Sequence, residues 1–107
     1  MNGKIYTYVG FSIRSGKVKL GVNAVSFYKG KIPLMILCDT ATENTKKEVL
    51  SLSKRFGSKV LLTKVDTVED LTNKPFCKLC AVLDENLAQA ILDNVDENFQ
   101  ILGGYKS

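Results

Sequence analysis

The sequence predicts an α/β fold, a three-layer α/β/α sandwich on a four-stranded mixed sheet, and three observations lead there. The run Pro33-Leu-Met-Ile-Leu-Cys38 is apolar throughout, the mark of a central strand covered on both faces. Short β-patterned stretches alternate with stretches whose apolar residues recur every three or four positions. Polar cap residues and glycines separate the two kinds at the spacing of alternating strands and helices. The 107 residues are enough for one packed core, read as a single domain over 1–94 with a tail over 95–107.

In chain order, residues 2–15 read as a helix with Ile5, Val9 and Ile13 at i, i+4 and i+8, and with Tyr8 and Phe11 widening the stripe. Asn2 stands at its N-cap and Gly16 at its C′ position. Residues 17–20 alternate polar with apolar, a short strand with Val18 and Leu20 facing in. Gly21 permits a tight turn into a second helix over 22–29, ended by Gly30. The apolar strand covers 32–38 and stops at the polar Asp39-Thr40.

Thr42 caps the third helix, and Glu43 in its first turn suits the macrodipole. Val49, Leu50, Leu52 and Phe56 form its buried side, Lys46, Lys47, Lys54 and Arg55 point elsewhere, and Gly57 ends it. A strand over 59–63 precedes a short helix capped by Thr67 and ending near Thr72. Pro75 then disfavours helical geometry at Lys74. A fourth strand over 79–83 leads to a last helix over 85–93, capped by Asp84, with Leu87, Ala88, Ile91 and Leu92 inward. In the tail, Phe99, Ile101 and Leu102 need burial on this domain or on a partner, and packing on the parent domain is expected; Gly103-Gly104 loosens the chain beyond.

The net charge of +4 hides an asymmetry: residues 1–64 carry 12 Lys/Arg against 3 acidic residues, residues 65–107 carry 3 against 8. A bipolar chain of this kind suits one face for a polyanion and one that avoids it, or lysines that solvate helix faces. No apolar run reaches the roughly 20 residues of a membrane span, and the start lacks a secretory pattern, so a cytoplasmic protein without a membrane partner is expected. Three cysteines without a histidine argue against a disulfide framework and against a four-ligand zinc site. Cys77-Lys-Leu-Cys80 leads into an apolar strand, which favours buried thiols over a redox pair. With no histidine, no glycine-rich phosphate loop and no nucleophile beside a base, neither catalysis nor a cofactor is expected.

The series Arg14-Ser-Gly-Lys17, Gly21-x-x-Ala-Val25, the apolar strand, Asp39-x-Ala-x-Glu-Asn-Thr-Lys-Lys47 and Cys80-Ala-Val-x-Asp-x-Asn-Leu-Ala88 resembles the ribosomal protein L-seven-Ae family, in its bacterial YlxQ-like branch with the L-thirty-e-like fold. The resemblance implies a non-catalytic, ribosome-associated RNA-binding protein whose partner is ribosomal or other structured RNA, in many relatives a kink-turn. It places the start of the second helix and the neighbouring loops on the RNA. The family's Gly-x-Asn-Glu-x-x-Lys motif falls on Gly21 and Asn23, with Ala24 where it has glutamate and Phe27 where it has lysine. Arg14, Lys17, Lys19, Gly21, Val22, Asn23, Lys29, Lys31, Asp39, Asn44, Lys46 and Lys47 form the expected RNA face. Pro75 and Phe76 stand in the position of a second contacting loop, where Phe76 stacks on a base or folds back on the core. The competing expectation is a protein-interaction module or homodimer on the same fold, using the acidic half and the tail.

Overall fold

A computed structural model describes residues 3–64, 67–75 and 77–102. Five helices and five strands follow one another: α1 (Gly3–Arg14), β1 (Val18–Leu20), α2 (Val22–Phe27), β2 (Leu34–Leu37), α3 (Glu43–Phe56), β3 (Lys59–Thr63), α4 (Val68–Thr72), β4 (Leu79–Val82), α5 (Glu85–Asp93) and β5 (Phe99–Leu102). Local chemistry accounts for most boundaries. The Thr42 hydroxyl accepts the Thr45 N–H at the start of α3, and the Asp84 carboxylate accepts the Leu87 N–H at the start of α5. Thr67 and Asp70 exchange side-chain and backbone bonds in a full capping box. Gly16 and Gly57 end α1 and α3 at φ values of 74° and 67°, a conformation that costs other residues a Cβ clash.

The strands form one mixed sheet in the order β1-β4-β2-β3-β5. β2 and β3 run parallel, Leu34 opposite Lys59, whereas β4 lies antiparallel between β1 and β2. Every residue of β2 and β4 is buried. Alternation along these strands feeds two cores. Leu34, Ile36, Cys38, Cys80 and Val82 pack with Ile5 and Val9 of α1, Leu71 of α4 and Ile91 of α5. Met35, Leu37, Leu79 and Ala81 pack on the other face with Val25 of α2 and Val49 and Leu52 of α3. Each fully buried Leu or Ile of this kind contributes about 1.5–3 kcal/mol.

The sheet has five strands where four were expected. Phe99, Ile101 and Leu102, assigned to the tail by sequence, pair antiparallel with β3, Phe99 opposite Thr63 and Leu102 opposite Val60. The fifth strand covers the outer edge of β3, which β2 and its helices leave open, and it buries Phe99. Two smaller expectations also change. α2 stops at Phe27, two residues short, and Phe11 is 52% exposed instead of widening the α1 stripe. Asn2, Phe76 and Gly103-Gly104 lie outside the described residues. No described helix is long and apolar enough to cross a membrane.

The side chains of β5 divide by face, which gives a test. Phe99→Ala should cost about 3–5 kcal/mol in urea denaturation, whereas Ile101→Ala, half exposed, should stay near 1 kcal/mol. Equal effects would mean that the strand does not dock in this register.

Candidate nucleic-acid interface

All the loops between elements gather at the two ends of the sheet, so the position of each candidate residue follows from strand direction. At one end, the Gly21 N–H donates to the Leu79 carbonyl at 2.8 Å, the Cys38 N–H to Lys78 O at 2.9 Å and the Asp39 N–H to Thr63 Oγ1 at 3.3 Å. This end carries Gly21, Val22, Asn23, Asp39, Asn44 and Pro75, with Lys46 and Lys47 in the first half of α3. At the other end, the Leu83 N–H donates to Lys17 O and the Lys59 N–H to Pro33 O. Arg14, Lys17, Lys29 and Lys31 lie there, beside Lys54, Arg55 and Lys59. Lys19 stands between, on the edge strand β1, with its ammonium 5.6 Å from the Tyr28 ring centre.

The residues of the expected single basic face therefore fall at two ends of the sheet and not at one. The short strands explain why: Lys17 and Gly21 are four residues apart in sequence, yet β1 carries them to opposite ends, about 13 Å at 3.3 Å per residue.

At the Gly21 end, backbone conformation and free amides dominate over charge. Gly21 has φ 91° and ψ 155°, a region essentially reserved for glycine, while the space where a Cβ would stand is open. The glycine is demanded by its own backbone angles and not by a close neighbour. α2 begins at Gly21 without a side-chain cap, so Asn23 does not serve as one. Among the described residues, the side chains of Asn23 and Asn44 are exposed and make no hydrogen bond within the chain. Lys47 is exposed too, while Lys46 lies 3.9 Å from Glu43. The described part of β5 runs away from this end, from Phe99 beside Thr63 to Leu102 beside Val60, and leaves it uncovered.

Lys78 would count as a further cation, but it is engaged. Its ammonium donates to Glu69 Oε2 at 2.7 Å and to Thr40 Oγ1 at 2.8 Å. The Cys38 thiol lies 3.0 Å from Thr40 Oγ1 and reaches Glu69 Oε1 at 3.6 Å. This network, which sequence reading missed, ties α4 to the exits of β2 and the entry of β4. No local spacing signals it, since its members are 29 and 9 residues apart across two loops (Thr40 to Glu69, and Glu69 to Lys78). The hydrogen bond from Lys78 holds the Glu69 carboxyl below its usual value, and the same bond raises the Lys78 ammonium. Burial, followed by the neighbouring Cys77, pushes the Cys80 thiol up to about 12, which makes it a core residue and not a nucleophile. Among the described residues no three His, Cys, Asp or Glu side chains gather as a metal site.

A depressed carboxyl stabilises the fold above its unfolded pKa, and that stability is lost as pH falls through the folded value. Glu69→Gln should therefore lower the urea midpoint at neutral pH, and its difference from the parent should close in acid, below the usual 4.5. A gap that persists undiminished in strong acid would assign the loss to packing and not to the ion pair.

Neither a scan against family models nor a search of curated proteins finds a match to this chain. Among solved structures, it is similar to a protein of unknown function from Bacillus halodurans, with a TM-score of 0.71 at 22% sequence identity over 88% of this chain and 98% of that one. The likeness is one of fold.

Proposed function

We propose that the protein is a non-catalytic RNA-binding domain, a three-layer α/β/α sandwich of the L-seven-Ae kind, that docks structured RNA with the Gly21 end of its sheet. The observation that carries this reading is the pair of exposed, unpartnered amides, Asn23 and Asn44, set at the starts of α2 and α3 on one side of the sheet. An amide can both donate to and accept from a base edge, and a free one at a helix start faces the same partner as the backbone N–H groups beside it. Gly21 lets that backbone approach a phosphate without a side chain in between. Lys47 supplies charge, with Lys46 available once its loose contact to Glu43 opens.

Ala24 and Phe27 stand where the motif has a carboxylate and an ammonium, which removes a base-edge acceptor and a phosphate contact. The proposed interaction is accordingly more tolerant of sequence than kink-turn recognition, and ribosomal or other structured RNA fits it.

A second reading, a homodimer, draws on one observation: β5 is an edge strand with Ile101 52% exposed on it. Light scattering decides between the two. A dimer that Ile101→Lys converts to monomer supports it, and a monomeric parent protein at micromolar concentration removes it.

For the RNA reading, affinity for a folded RNA should fall steeply with salt, and Lys46→Glu with Lys47→Glu should weaken binding at least tenfold while reducing the salt slope by about two. Asn23→Ala should weaken binding by roughly 1–3 kcal/mol without changing that slope. A flat salt response, or unchanged affinity in both variants, would exclude this end as the RNA face.

A further inference from the structure

We propose that the C-terminal end of α2, around Phe27, is a second RNA contact that stacks and neutralises a single-stranded flank of the RNA held at the Gly21 end. The proposal rests on the RNA-binding reading and adds to it a separate surface and a separate class of RNA.

Phe27 is the last residue of α2 and is 78% exposed, the most exposed large apolar side chain among the described residues. It stands at the rim of an open recess of about 320 Å³ shared with Tyr28, Lys29, Gly30, Arg55 and Phe56. Tyr28 folds back against Gly30, where an added Cβ would lie only 2.5–2.8 Å from its ring, so Phe27 is left as the outward ring. Arg55 is set in place: its Nη2 donates to Ser26 O at 2.7 Å, and its guanidinium sits 4.7 Å from the Phe56 ring centre. Arg55 is exposed and lines the same recess as Phe27, with further N–H donors on its planar group.

Charge selects the partner. Lys29, Lys31, Lys54 and Arg55 are exposed, and none lies within ion-pair distance of a carboxylate among the described residues. Asp84 and Glu85, which stand toward the same end of the sheet, belong to the start of α5 on its other face. A polyanion with flat faces matches both features: phosphates go to the unpaired cations and a base stacks on the exposed ring. A duplex offers no free base to the ring, whereas an unpaired strand does. Phe27 closes a helix that starts beside Gly21, about 9 Å away at 1.5 Å per residue, a distance that three or four stacked nucleotides cover at 3.4 Å per step.

The test uses three labelled RNAs in fluorescence anisotropy: a folded kinked hairpin, the same hairpin with a tail of about ten uridines, and the uridine strand alone. The tail should tighten binding by roughly 5- to 150-fold, the range of one stacked base. Phe27→Ala should abolish that gain and leave the bare hairpin unaffected; Phe27→Tyr should retain it; Lys29→Glu should reduce it together with the salt slope. A tail that adds nothing, or a gain that Phe27→Ala leaves intact, overturns the second contact while the first stands. If the hairpin fails to bind but the uridine strand binds in a Phe27-dependent way, the Gly21 end is at fault and the Phe27 surface stands. A polyglutamate peptide that displaces the uridine strand equally well from the parent and from Phe27→Ala would assign this end to an acidic protein and overturn the RNA proposal.

Discussion

Burial of β2 and β4 on both faces is the constraint from which the other features follow. Each residue of Leu34–Leu37 and Leu79–Val82 is inside, and alternate residues of each strand feed separate cores. Two strands that are apolar on both sides require helices above and below, and those helices take up the faces on which a ligand could otherwise lie. Polar chemistry is thereby pushed to the ends of the sheet and to its two edge strands. Antiparallel β4 between β1 and β2 then makes the ends unlike: one gathers the exits of β1, β2 and β3, the other gathers the entries and the last turns of α2 and α3.

That constraint also governs how charge is read. The basic first half of the chain does not become a basic face, because every short strand sends the chain to the other end. Lys17 and Lys47 belong to the same basic half, yet one stands at the entry of β1 and the other in the first half of α3, which starts toward the other end. What matters for a polyanion is which cations are both together and unoccupied. Lys78 has its proton donors on Glu69 and Thr40, and Lys46 leans on Glu43. Lys29, Lys31 and Lys54 have no such partners among the described residues, and Arg55 meets no carboxylate there, giving one N–H to Ser26 O. Counting lysines along the sequence thus overstates the charge at the Gly21 end and misses that the larger free charge lies opposite.

The parts of the fold legible in the sequence are those decided within a few residues. Thr42, Thr67 and Asp84 cap the helices they were expected to cap, because an N-cap acts on an amide three positions on. Gly16 and Gly57 end α1 and α3 for an equally local reason, the cost of positive φ. Strand β5 was not legible as a strand, since Phe99-Gln-Ile-Leu102 is short and its partner, the free edge of β3, is fixed only once β2 has paired on the other side. The same distinction divides the candidate site. Gly21 and Asn23 share one turn and were placed together by spacing, whereas the Thr40–Lys78–Glu69 network and the Phe27–Arg55 neighbourhood depend on contacts across the fold. Phe11 shows the limit of periodicity alone: it falls near the stripe of α1 but is half exposed.

Phe27 joins the two ends in one argument. A lysine at that position would add charge to the flank of α2, where a phosphate passing the Gly21 end could reach it; a phenylalanine there gives up about one phosphate's worth of attraction. Leaving a large aromatic side chain 78% exposed forgoes burial worth on the order of 1.5–3 kcal/mol, and no contact within the chain recovers it. A partner that supplies a flat apolar surface and negative charge at once, as an unpaired base on its phosphate backbone does, would offset both. The exposed ring beside Arg55 is then the counterpart of the exposed amides at Asn23 and Asn44: each is a group without a partner among the described residues.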